Sequence, residues 1–161
     1  MATTPALKAQ RGYSGFEGGS SELVPPEGTL PRGFTRYTIA YAEDADAKLK
    51  NPLPRTAAVL ARGKDRYGVF CAVCHGDKGL GDGPVINPYP IPKSLQSDQM
   101  MKWGDGHIFH VITRGQGVMP SYARQIPVTD RWAIIHYLRA LQRAEHPTEE
   151  DLRAYEKAQQ N

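Results

Sequence analysis

The chain has 161 residues, 40% of them hydrophobic and 23% charged, with a formal net charge of +3. That length suits one domain with residues to spare for tails, and so small a charge does not indicate nucleic-acid binding. No apolar run approaches the roughly 20 residues that a membrane-spanning helix needs.

Residues 1–54 read as an extended, irregular N-terminal arm. Met1 to Gln10 lacks the apolar stretch of a secretory signal, and no cysteine lies near the start to carry a lipid. A leader already removed is the expected explanation. From Arg11 to Ser21 turn-forming residues follow one another without periodicity. Val24-Pro25-Pro26 and Leu30-Pro31-Arg32-Gly33 come next, each proline forcing its predecessor toward extended geometry. Tyr13, Phe16, Leu30, Phe34, Tyr37, Ile39 and Tyr41 are more apolar anchors than a solvating tail would carry. An arm lying across another protein is favoured over disorder.

The pattern changes at Thr56. Leu60, Gly63, Tyr67, Phe70 and Cys71 recur along one side at helical spacing, with Thr56 placed to cap the start. Gly63 is a weak helix former, which predicts that another helix crosses closely there. This helix runs directly into Cys71-Ala72-Val73-Cys74-His75, which contains the only two cysteines of the chain. C-x-x-C-H is the attachment signature of a c-type haem. Each thiol can add across one porphyrin vinyl group, and the histidine behind them lies under the macrocycle as an iron ligand. Three rival readings are weaker. A thioredoxin-like pair belongs to a βαβ element and needs no histidine here. A zinc site needs a second ligand pair, which His107, His110, His136 and His146 do not supply. A disulfide across two intervening residues closes too small a loop to stabilise much.

Gly76 to Pro84 holds four glycines and a proline and reads as a compact loop. A phosphate-binding loop would need a preceding buried strand and a Lys-Ser/Thr ending, both missing. In a haem protein such a loop lets backbone approach the porphyrin edge, and the Pro84 carbonyl is the candidate acceptor for the His75 Nδ1 proton. Pro88 to Pro92 continues irregularly, and Ser97 to Trp103 allows one or two helical turns. The next helix starts at Asp105, placed to cap it, and turns Ile108, Val111 and Ile112 inward. His107 and His110 are expected on a solvated or hydrogen-bonded face of that helix rather than as a metal pair.

Gly115-Gln116-Gly117-Val118-Met119-Pro120 is the second chemical feature: a glycine turn delivers a methionine, stiffened by the proline behind it. A thioether is a soft neutral ligand that raises the potential of haem iron. Met119 is therefore the expected sixth ligand, ahead of Met100 and Met101 beside Lys102; the alternative is a methionine filling a core gap. Arg131 to Gln142 repeats Trp132, Ile135, Leu138 and Leu141 on one face, with Tyr137 beside it and Thr129 or Asp130 as cap. This helix is expected to cross the first near Gly63, with His136 on its surface or flank. Residues 53–143 carry twelve Lys/Arg against six Asp/Glu, whereas the tail from Glu145 is acidic, with a short helix beginning at Thr148. A basic surface near a haem edge would steer an acidic redox partner.

A helix ending in C-x-x-C-H, a glycine loop ending in proline, a methionine turn and a tryptophan-bearing last helix resemble a class I cytochrome c across about residues 55–143. The resemblance implies an all-α fold around one covalent haem c, joined to Cys71 and Cys74, with His75 and Met119 as axial ligands. Pro84, Tyr67, Leu95 and Trp103 are expected to line the haem pocket. Glu27–Gly33, Asn51-Pro52-Leu53-Pro54, Arg62–Tyr67 and Val128–Ile135 also resemble the mono-haem cytochrome c subunit of alternative complex III, a bacterial membrane assembly that oxidises quinol. This implies a peripheral electron-transfer subunit, not itself an enzyme, on the periplasmic side of the inner membrane. Its arm would strap neighbouring subunits, its redox acceptor would be a protein, and residues 144–161 would form a tail. Members of that family are commonly lipid-anchored through an N-terminal cysteine, which this chain lacks. A free soluble carrier is the alternative; a peroxidase would need an open distal site, which Met119 would fill.

Overall fold

The computed structural model describes residues 5–9, 11–30, 32, 36–85 and 90–159. Pro31, Gly33 and Phe34 of the expected arm, and Pro88 and Tyr89, lie outside the described residues. The chain divides into two compact units, Met1–Tyr37 and Thr38–Asn161.

The first unit is built on turns. A single 3-10 turn spans Glu17–Gly19, and an isolated bridge pairs Gly12 with Ser20. The Tyr13 amide donates to the Gly19 carbonyl at 2.8 Å, and the Tyr13 and Phe16 rings lie 5.1 Å apart. Leu7, Tyr13, Leu23, Val24 and Leu30 remain exposed. Among the described residues of this unit none is buried, so they form no core of their own.

The second unit is all-α: the described residues form seven helices and no strand. It begins at Thr38 rather than near residue 55, because 38–54, placed with the arm from sequence, contains a helix, α1 (Ala42–Lys48), that packs on α5 (Asp105–Arg114). Ala45 of α1 is fully buried, and a Cβ on Gly106 would stand 2.1 Å from its carbonyl oxygen. The Asp46 carboxylate accepts from the Gly104 and His107 amides at 3.3 and 3.4 Å, so α1 caps α5 from a distance. Asp105, expected to be that cap, sits one residue inside the helix and binds Arg139 Nε at 2.9 Å instead.

The frame is the crossing of α2 (Ala57–Phe70) and α6 (Val128–Glu145), the most extensive helix contact in the unit. Thr56 caps α2 as expected, its hydroxyl accepting from the Val59 amide at 3.3 Å. Gly63 faces α6 so closely that a Cβ there would meet the Ala133 carbonyl oxygen at 2.1 Å and Tyr137 Cβ at 2.9 Å. Beside this contact Arg62 donates twice to Asp130, from Nε at 2.8 Å and Nη2 at 2.7 Å. Asp130 is thus spent on a bidentate ion pair, and α6 starts behind Pro127 with neither Thr129 nor Asp130 as side-chain cap. That partner holds the buried Asp130 carboxyl below the usual carboxylate range.

The core lies between α5 and α6, where Phe109 stacks on Trp132 at 4.1 Å and 15°. Ile108, Ile112, Ile126, Ile134, Ile135, Leu138 and Met100 fill it; Met100 belongs to the short helix α4 (Asp98–Lys102). Asn51 Nδ2 donates to the Trp132 carbonyl at 3.0 Å, and His136 Nε2 lies 2.8 Å from the Leu53 carbonyl. His136 is therefore buried under the 51–53 segment, not on the flank where periodicity placed it. Helix α7 (Glu149–Gln159) ends the described chain, with Thr148 and Asp151 hydrogen-bonding reciprocally at its start.

Alanine at Gly63 is the sharpest test of this frame. Its helix propensity is better by about 1 kcal/mol, but the overlap with the α6 backbone outweighs that gain. Gly63→Ala is expected to lower unfolding free energy by roughly 2–3 kcal/mol in urea titration, helical content staying unchanged.

Candidate functional site

Helix α2 delivers the two cysteines. It ends at Phe70, and after a one-residue break at Cys71 the chain makes a single further helical turn, α3 (Ala72–His75). Cys71 N donates back to Tyr67 O at 2.8 Å and His75 N to Cys71 O at 2.8 Å, so the motif continues the α2 scaffold. The glycine loop then folds back over it. Gly81 N donates to the His75 carbonyl at 2.8 Å, Gly83 N to Cys74 at 3.2 Å, and Val85 N to Val73 at 3.0 Å. Carbonyls left open at the end of a helix are thereby satisfied by one returning strand of backbone. Any side chain at residue 83 would block this: its Cβ would stand 2.5 Å from the Cys74 carbonyl carbon and the Val73 oxygen.

Two further residues fix the loop. Tyr67, 2% exposed, donates its hydroxyl to the Gly76 carbonyl at 2.9 Å. Leu95 donates its amide to Gly79 O at 2.7 Å and accepts from Gln142 Nε2 at 2.8 Å, tying the loop to α6. Both are expected as pocket-lining side chains, and in the structure they brace the motif and its loop. Trp103 stacks on His107 at 3.9 Å, which engages its indole at the start of α5.

The electrostatics of the motif favour neutral groups. Burial pushes the Cys71 thiol up to about 12, with Cys74 adding a smaller effect. Both cysteines are free thiols. A thiol so raised is not the activated thiolate of a dithiol oxidoreductase. Burial also holds the His75 pKa below its usual value, so the imidazole is neutral and keeps a lone pair for a metal. Its Nδ1 is buried with no hydrogen-bond partner. The expected bond to the Pro84 carbonyl is therefore not formed. Two reduced thiols and one neutral imidazole on a single rigid turn suit covalent haem attachment, and Nδ1 is the atom that remains to be paired.

Met119 sits in a tight turn closed by reciprocal backbone bonds with Gln116, 2.9 and 3.0 Å long. The turn is anchored to α5 by Ser121 Oγ donating to Thr113 O at 2.6 Å and Tyr122 N to Ile112 O at 3.0 Å. Tyr122 joins this turn to the motif. Its ring meets Phe70 edge-on at 6.5 Å, and its hydroxyl pKa is raised by burial and by Cys74 and Cys71. The methionine turn and the cysteine motif thus border the same region. Tyr122 was not read as significant from sequence; its position three residues after Met119, opposite Phe70, shows only in three dimensions.

Of the two surroundings expected for the α5 histidines, the solvated one is not found. His107 and His110 are both buried, because α1 and Trp103 cover a face that periodicity alone left open. Among the described residues no group of three or more His, Cys, Asp or Glu converges to hold a metal ion.

An all-α unit whose first long helix carries C-x-x-C-H under a returning glycine loop is a c-type cytochrome. Residues 58–138, just over half of the chain, match the family described as cytochrome c oxidase, cbb3-type, subunit III. The chain belongs to that family, and the family implies covalently bound haem c. Among solved structures, the fold is similar to a chain of the Kuenenia stuttgartiensis reducing HAO-like protein complex, with a TM-score of 0.51 and 27% identity. The match covers 60% of this chain and 48% of that one, so the chain spans about half the neighbour's length. No curated protein matches by sequence.

Tyr67→Phe removes one oxygen and leaves the buried Gly76 carbonyl without its donor. The expected cost is about 1–3 kcal/mol in urea unfolding, with faster hydrogen exchange at the Gly79 and Gly81 amides.

Proposed function

We propose that the chain binds one haem c through Cys71 and Cys74, with His75 and Met119 as axial ligands, and carries single electrons as a subunit of a quinol-oxidising membrane complex. When bound, the haem supplies a one-electron iron couple. The protein's part is to hold and tune it. The rigid turn of α3 fixes the two thiols and the imidazole relative to each other, and burial keeps that imidazole neutral. The methionine turn offers a thioether, a ligand that favours reduced iron over bis-histidine ligation.

The observation that carries the electron-transfer reading is the pinned C-x-x-C-H segment lying inside the family-matched region. The assembly reading rests on different features. The unit Met1–Tyr37 presents exposed Leu7, Leu23, Val24 and Leu30, with none of its described residues buried, as a segment that docks on a partner would. The structural neighbour is itself part of a protein complex. No described helix is long and apolar enough to cross a membrane; in the proposed assembly the chain is a peripheral subunit on the periplasmic side, held by other chains. The excess of Lys and Arg over residues 53–143 favours an acidic redox acceptor.

The test is purification from native membranes under mild detergent. The expected result is co-elution with other redox subunits at a size far above the 17.8 kDa of the chain, and release of the chain when residues 1–37 are deleted. Elution of the intact chain as a lone monomer would instead establish a free soluble carrier.

A further inference from the structure

A buried arginine stands at the neck of the methionine turn. Arg131, in the first turn of α6, is 6% exposed. Its guanidinium reaches three separate points: Nε donates to the Ile126 carbonyl at 2.9 Å, Nη1 to Thr113 Oγ1 at 2.6 Å, and Nη2 to the Ala123 carbonyl at 3.5 Å. It also lies 5.2 Å from the centroid of the Phe109 ring, which stacks on Trp132.

These contacts bracket one loop. Thr113 is in the last turn of α5, just before the chain leaves the helix at Gly115. Ala123 and Ile126 are where it returns before Pro127 and α6. Met119 lies between the two ends. Ser121 and Tyr122 fasten the returning limb to Thr113 and Ile112, the same stretch of α5 that Arg131 grips. Departing and returning limbs are thus joined through one planar, five-donor group, whose fork geometry a lysine cannot reproduce.

We propose that Arg131 is a positioning residue for the thioether of Met119: it fixes the neck of the 114–126 loop and so sets how firmly the methionine can be held against haem iron. The inference rests on the assignment of Met119 as axial ligand. A ligand on a loop is only as well placed as the residues that lock that loop. Arg131 reaches both limbs from a helix already fixed by the Gly63 crossing and the Arg62–Asp130 pair.

The test uses the full haem-loaded chain with Met119→Ala, Arg131→Met, Arg131→Lys and Thr113→Val, the last removing one acceptor with little change of shape. Readouts are the methionine–iron charge-transfer band of the ferric protein, its loss with rising pH, and hydrogen exchange at the Tyr122 and Ile126 amides. Arg131→Met is expected to keep the haem and helical content, speed exchange at both amides at least tenfold, and lower the pH at which the band is lost by one unit or more. Arg131→Lys should recover part of this, and Thr113→Val should show a smaller shift in the same direction. A band that survives Met119→Ala overturns the ligand assignment itself. A band lost in Met119→Ala, with wild-type exchange and pH behaviour in Arg131→Met, overturns the role of Arg131 alone. If Arg131→Met fails to fold, Thr113→Val decides: wild-type exchange and pH behaviour there would refute the proposal.

Discussion

The contact between Gly63 and the Ala133 carbonyl is the constraint on which the rest of the helical unit depends. Two helix backbones can approach this closely only where one residue has no side chain. That approach fixes α2 against α6, and the Arg62–Asp130 pair sets their register. Everything chemical is then hung from these two rods. The C-terminal end of α2 carries Cys71, Cys74 and His75. The start of α6 carries Arg131, which holds the loop bearing Met119. On the proposed axial pair, His75 and Met119 would meet one iron only if the rods do not shift.

The cysteine motif adds a second layer of rigidity that owes little to side chains. Its carbonyls are capped by backbone amides of the glycine loop, and that loop is in turn pinned by Tyr67 and Leu95. The same enclosure keeps thiol and imidazole uncharged. Neutral sulfur and nitrogen donors on a fixed turn suit permanent attachment of an iron porphyrin better than reversible dithiol chemistry. The contrast with the first unit is physical as well. The described residues of Met1–Tyr37 are held by turns and a few hydrogen bonds, with Leu7, Tyr13, Leu23, Val24 and Leu30 exposed.

Much of the frame was legible in the chain. The Thr56 cap, the helix into Cys71, the tight crossing at Gly63, the glycine loop and the start of α7 at Thr148 all follow from local pattern, and the structure has each of them. What local pattern missed are contacts between distant residues. Helix α1 is short and acidic and has a single buried alanine; it exists because Asp46 caps a helix nearly sixty residues later. Asp105 and Asp130 looked like caps and became partners of Arg139 and Arg62, since a guanidinium from another helix outcompetes a local amide. His107 and His110 were given a solvated or hydrogen-bonded face and His136 a surface or flank position because periodicity treats histidine as polar, yet all three are buried. Arg131 went unread for the same reason: a charged residue in a helix is taken as solvated unless its fold-dependent partners are known.

The proposed joining of Cys71 and Cys74 to a single haem is open to direct measurement. Intact mass measurement of the protein purified from its native membranes, after alkylation under denaturing conditions, addresses it directly. The expected result is a mass raised by one haem, no alkylation at either cysteine, and both thioethers in the one peptide spanning residues 71–75. Two alkylated cysteines on a chain of unmodified mass would contradict it.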